Sequence, residues 1–272
     1  MERTAPIGIF DSGLGGLTVA RAIAEATPAE ELIYLGDTAR VPYGTRSAQT
    51  VIRYARSCAR QLVERDVKML VVACNTVSAV ALDMLRVELD IPVLGVIGPG
   101  ARAGVAASLE GRIGVVATAG TIASGAYDRA VTAESSRAEV FSMAAPLLVP
   151  LVEEGWLSGE VPRLAVTRYL EPLIAQRIDT LVLGCTHYPL LADVIVEVAA
   201  RLAGRPVPVV DSAHAAATEL AELLVARDLA ADPGSAGGLR LLVTDLPERF
   251  GAVASRFLGR DTTGLDVEQI DL

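Results

Sequence analysis

The chain alternates between short, continuously apolar runs and longer stretches in which apolar residues return every three or four positions. The runs are IGIF at 7–10, ELIYLG at 31–36, MLVVA at 69–73, IPVLGV at 91–96, RIGVVA at 112–117, TLVLG at 180–184, VPVV at 207–210 and LRLLV at 239–243. Such runs lack polar alternation, which predicts strands buried on both faces of a parallel sheet. The stretch 48–65 predicts an amphipathic helix. Val51, Ile52, Ala55, Cys58, Ala59 and Leu62 share one face, while Arg53, Arg56 and Arg60 lie elsewhere. Strands alternating with helices predict an α/β fold.

Two internal echoes predict a duplicated architecture. L-V-V-A-C-N-T at 70–76 resembles L-V-L-G-C-T-H at 181–187, an offset of 111 positions (74 to 185). I-G-I-F-D-S at 7–12 resembles I-G-V-V-A-T at 113–118, an offset of 106 positions (7 to 113). Nearly equal offsets point to two related halves. The expected architecture is a pair of pseudosymmetric, doubly wound, mostly parallel-sheet domains with the active site in the cleft between them. Gly98-Pro99-Gly100 reads as a turn, a natural boundary and hinge. The first domain is then expected to take residues 1–97 plus 207–272, and the second residues 98–206.

Composition narrows the function. With 51% hydrophobic and 21% charged residues, the 272-residue chain has ample material for a core. A net charge of −9 and 4% aromatic residues argue against a nucleic-acid binder. Lys68 is the single lysine, so Schiff-base chemistry would depend on that one amine. The histidines are His187 and His214, the cysteines Cys58, Cys74 and Cys185, and no pair has a zinc-site spacing. Neither a signal peptide nor a membrane span is expected, and the sparse cysteines predict a cytoplasmic protein.

Cys74 and Cys185 each stand where a buried strand gives way to small polar residues. In an open parallel sheet, ligands bind at that carboxyl end. A helix N-terminus following each thiol would lower its pKa and make it reactive. Cys58, in mid-helix, reads as core. Asp11-Ser12-Gly13-Leu14-Gly15-Gly16 follows the first strand and invites a dinucleotide reading. The third glycine is missing, since position 18 is Thr, and the Asp11 carboxylate would face the pyrophosphate. The alternative is a small ligand approaching backbone amides beside Asp11 and Ser12. His187, two residues after Cys185, could take or orient a thiol proton. His214 falls in a helix first turn without an assigned role, and spacing does not separate Glu153 from Glu154.

Two thiols in matching contexts suit racemization. Removing a proton from one face of a carbon and returning one to the other takes two opposed acid–base groups. With no metal cluster, hydrogen-bond donors and a dry pocket must stabilise the developing charge. A non-catalytic binder of small acids and a nicotinamide oxidoreductase are the competing classes.

The motif set I-G-I-F-D-S-G-L-G-G-L-T-V (7–19), Y-L-G-D-T-A-R-V-P-Y-G-T-R-S (34–47), A-C-N-T-V-S-A (73–79), G-V-I-G-P-G (95–100), A-T-A-G-T-I-A-S-G-A-Y (117–127), P-L-L-V-P-L-V-E-E-G (146–155) and L-G-C-T-H-Y-P-L-L (183–191) resembles the bacterial glutamate racemases, in the cofactor-independent aspartate/glutamate racemase superfamily. The resemblance runs to about Asp211-Ser212; the last 60 or so residues carry little signature. It implies interconversion of L- and D-glutamate, the latter for peptidoglycan, with no cofactor and no metal. It implies Cys74 and Cys185 as the two bases, Asp11 and His187 as supporting groups, and Asp37 and Glu153 as second candidates. Substrate contacts are expected from Asp11, Ser12, Pro42, Tyr43, Gly44, Asn75, Thr76, Thr118, Thr121, Thr186 and His187. A homodimer follows from the same analogy, and aspartate or hydantoin racemization is the related alternative. Leu147-Leu148-Val149 departs from the aromatic expected in that run. The N-terminal extension tied in some relatives to activation by a cell-wall precursor is not expected here.

Overall fold

The structure is a computed structural model that describes residues 2–245 and 250–272. In chain order the elements are β1 (Ile7–Asp11), α1 (Leu17–Ala26), β2 (Glu31–Gly36), α2 (Ala48–Val63), β3 (Met69–Val72), α3 (Asn75–Glu88), β4 (Val93–Gly95) and α4 (Ile97–Ala107). There follow β5 (Arg112–Ala117), α5 (Ala119–Ala123), α6 (Ala126–Glu134), β6 (Glu139–Ala144), α7 (Leu148–Glu153), α8 (Glu160–Ala175) and β7 (Thr180–Gly184). The chain ends with α9 (Ala192–Ala203), β8 (Val209–Asp211), α10 (Ser212–Ala226), β9 (Gly238–Val243), α11 (Phe250–Leu258) and β10 (Asp266–Gln269).

The strands form two sheets, ordered β10-β9-β2-β1-β3-β4 and β6-β5-β7-β8, and every pairing is parallel. The order β2-β1-β3-β4 therefore repeats as β6-β5-β7-β8. β1 corresponds to β5 and β3 to β7, the same pairs that the sequence echoes matched. The continuously apolar runs supply every inner strand, fully buried along β1, β3 and β7, and also the edge strands β4 and β8.

Two strands escape the apolar pattern. β6 and β10 each close one edge of a sheet, and both carry polar residues in half-buried or exposed positions. An edge strand buries less of its surface, so its sequence has no need of an unbroken apolar run. The amphipathic helix forms as α2, with Cys58 fully buried among Val51, Ala55 and Leu62. Its first turn is capped by Ser47, whose hydroxyl accepts from the Thr50 amide at 3.4 Å.

Two expectations are corrected. Gly98-Pro99-Gly100 is no turn: these residues make the first turn of α4. First-turn amides lack intrahelical acceptors, so proline costs nothing there. The boundary at 206–207 also cuts the second sheet short, because β8 pairs with β7 through Leu181–Val209, Val182–Val210 and Leu183–Asp211. The return to the first sheet is made by α10, which packs against both α1 and α4.

Candidate active site

Equivalent strands bring equivalent loops to one place. β1 and β3 run out into Asp11-Ser12 and Ala73-Cys74; β5 and β7 run out into Thr118 and Cys185-Thr186-His187. Between these carboxyl ends lies a cavity of about 340 Å³, and Cys74 and Cys185 both line it. Ser12, Pro42, Tyr43, Gly44, Asn75, Thr76, Thr118, Glu153, Thr186 and His187 line it with them. Asp11, Asp37 and Thr121 stand behind this wall.

On the first side, Cys74 is the N-cap of α3 and its thiol donates to the Ser12 hydroxyl at 3.5 Å. The expected depression of its pKa is overturned. Burial pushes the thiol up, the Asp11 carboxylate pushes the same way, and together they outweigh the Ser12 and Val77 hydrogen bonds and raise it to about 12. Asp11 is 1% exposed. Its Oδ2 accepts from the Gly13 amide at 3.1 Å and the Gly16 amide at 3.0 Å, while Oδ1 is buried without a partner. Burial raises its pKa, against the pull of His187 and those amides. The glycine-rich turn thus spends the Gly13 and Gly16 amides on Asp11, so those two do not face a pyrophosphate.

On the second side, Cys185 precedes a single 3₁₀ turn, Tyr188–Leu191, where an α-helix N-terminus was expected. Its chemistry comes from side chains instead. His187 Nδ1 lies 3.9 Å from the Cys185 sulphur, and Nε2 lies 3.0 Å from Glu153 Oε1. Burial disfavours a charged ring, but the hydrogen bonds to Cys185 and Glu153 overcome it and raise His187 to about 10. That arrangement can hold a thiolate against an imidazolium. Glu153 is singled out from Glu154 by α7, which ends at Glu153 and aims its carboxylate at the ring.

The two sides press on each other. A Cβ on Gly15 would sit 2.4 Å from the His187 ring, and Thr18 donates to the Thr186 carbonyl at 3.0 Å. We expect Gly15→Ala to displace His187 and lower kcat/KM on the order of 10²-fold, since small misplacements of catalytic groups carry such penalties. Unchanged steady-state kinetics in a folded Gly15→Ala protein would contradict this contact.

Asp37 acts at one remove. Fully buried, it accepts hydrogen bonds from Tyr43, from Arg40 at 2.6 Å and from Thr244 at 2.9 Å, and so fixes the loop carrying Pro42, Tyr43 and Gly44. Opposite that loop, the Thr76 hydroxyl lies 3.0 Å from that of Thr118 and 3.3 Å from that of Thr121. Asn75 accepts from Tyr127 at 2.8 Å and donates to Ser212 at 3.3 Å. Among the described residues, no arginine or lysine lines the cavity. Hydroxyls and the Asn75 and Thr76 amides in the first turn of α3 can hold a carboxylate here. Gly13 of the glycine-rich turn and Val41, Thr45, Ala119, Pro146, Val149 and Pro150 complete the lining; the last six carry no chemical signal in the sequence. Among the described residues, no group of three or more His, Cys, Asp or Glu is placed to hold a metal ion, and no helix is long and apolar enough to cross a membrane.

The Asp/Glu/Hydantoin racemase family matches residues 7–220. The glutamate racemase of Geobacter metallireducens is 50% identical over 266 residues, which cover 98% of this chain and 96% of that protein. Among solved structures, a glutamate racemase isoform of Bacillus anthracis superposes with a TM-score of 0.93 at 38% identity, covering 100% of this chain and 99% of that one. A Francisella tularensis glutamate racemase in complex with D-glutamate gives 0.90 at 35% identity, covering 99% and 98%. A paired-thiol cavity at the carboxyl ends of two matching parallel sheets, joined to these likenesses over the full chain, makes this chain a member of the Asp/Glu/hydantoin racemase family, within its glutamate racemases.

Proposed function

We propose that the chain interconverts L- and D-glutamate by proton transfer between Cys74 and Cys185, without a cofactor. The observation that carries this reading is one cavity lined by both thiols, each contributed by an equivalent strand end of a different sheet. The thiolate on one face takes the α-proton, and the electron pair stays on the substrate's carbon and carboxylate. The thiol on the other face then donates its proton to that carbon. The product is the mirror image, and the two sulphurs have exchanged protonation states. Cys74, pushed up to about 12, suits the resting thiol. Cys185 stands beside His187 and its Glu153 partner, which can take up and return its proton. The substrate carboxylates fall to the hydroxyls of Ser12, Thr76, Thr118 and Thr186 and to amides at the start of α3.

Asp11 supports Cys74, and Asp37 acts through Tyr43. The parts that close on the substrate are one unit of residues 1–97 with the chain after β8, and a second unit from α4 through β8. The same reading places the protein in the cytoplasm as a homodimer supplying D-glutamate for peptidoglycan. Polarimetry with each glutamate enantiomer, without added cofactor, tests it: rotation should decay to zero from either side. Constant rotation would leave a binding protein, and faster decay with aspartate would move the substrate.

A further inference from the structure

The Glu153–His187 pair is braced from outside its own sheet. α11 belongs to the first sheet's layer, where it packs on α1. Its Arg256 reaches across to the end of α7. There Nη1 donates to the Val152 carbonyl at 3.1 Å and to the Glu153 carbonyl at 2.6 Å. These are carbonyls of a last helical turn, where the helix dipole welcomes a cation; that of Val152 also accepts from the Gly155 amide at 3.0 Å. Gly155, at φ 79°, leaves the room: a Cβ there would stand 2.7 Å from Arg256 Nη2. The next residue, Phe257, is 1% exposed and meets the His187 ring edge-on, with centroids 5.0 Å apart at 79°. One helix thus touches both members of the pair, fixing the backbone that aims Glu153 and the ring that receives it.

We propose that Arg256 and Phe257 are positioning residues for the second base, holding Glu153 and His187 in register with Cys185. This rests on the two-thiol reading of the site. It assigns a role to the C-terminal stretch, where the sequence carries no motif. It also couples the first unit to the second: α11 holds the pair only while the units stand together. The groups around His187 are Cys185 on its own loop, Glu153 on α7, Asp11 on β1 and Phe257 on α11.

The test is a double-mutant cycle in glutamate racemization, with thermal melts as the folding control. Arg256→Met, which keeps the apolar stem, should lower kcat/KM roughly tenfold in the wild-type background and less than about twofold in a Glu153→Gln background. Arg256→Lys, which can still donate to both carbonyls, should restore most of the activity. The alkaline limb of the kcat/KM profile should move toward neutral pH in Arg256→Met, because His187 loses its carboxylate. A cation acting only through its field would move the limb the other way. Phe257→Leu should shift the limb in the same direction as Arg256→Met. Equal losses in both backgrounds, an unmoved limb, or a limb moved to higher pH would overturn the proposal. Absence of racemization in the wild-type protein would instead remove the two-thiol reading beneath it.

Discussion

Cys74→Ala and Cys185→Ala each lose racemization by about 10³-fold or more, on the scale of a removed general acid–base group, yet each keeps half of the chemistry. A single remaining sulphur can still take the α-proton from its own face and return a solvent-derived one to that face. Each variant should therefore exchange the α-hydrogen of one glutamate enantiomer with deuterium oxide and leave the configuration intact. The two variants should prefer opposite enantiomers, because the sulphurs approach from opposite sides. Proton NMR in deuterated buffer reads the exchange, and polarimetry reads the inversion. Cys58→Ala serves as control; its sulphur lies in the α2 core and takes no part. Full racemization in both single variants, or exchange of both enantiomers by each, would refute opposed thiols.

The second large effect concerns pH. Glu153→Gln keeps the shape of the side chain and removes its charge. His187 then keeps the Cys185 hydrogen bond as a source of its upward shift and loses the Glu153 contribution, so its pKa falls from about 10. Where activity depends on the protonated ring beside the Cys185 sulphur, deprotonation ends it. The alkaline limb of kcat/KM must then move to lower pH, and activity near neutral pH should fall by about ten- to a hundredfold, as for other groups that orient a reacting residue. Glu153 is half exposed, and solvent screening places the effect nearer the lower figure. A Glu153→Gln profile superimposable on wild type would show that the carboxylate does not act through His187.

Much of this was legible along the chain, and the reason is burial. Strands covered on both faces must be apolar throughout, so β1, β3, β5 and β7 announce themselves, and their echoes reveal the repeated order of the two sheets. Polar residues abruptly following such strands, as at Cys74 and Cys185, mark the carboxyl ends where ligands bind. β6 and β10 stayed hidden because an edge strand is free to be polar. Gly98-Pro99-Gly100 read as a turn because composition does not distinguish a break from a helix's tolerant first turn.

The sequence by itself determined the α/β class, the duplication, the paired thiols and, through resemblance to a family, the identity of most wall residues. Only the tertiary structure decided what surrounds each sulphur. It placed Asp11 under burial, where it raises Cys74 instead of leaving the thiol to the helix dipole. It put Asp37 behind Tyr43, and chose Glu153 by the direction in which α7 ends. It brought Phe257 across about 70 positions of the chain to His187, and Arg256 across about 100 to the Glu153 carbonyl. Apolar periodicity is a local property, written in neighbouring residues; electrostatic environment is a sum over groups distant in sequence, and exists only once the chain has closed on itself.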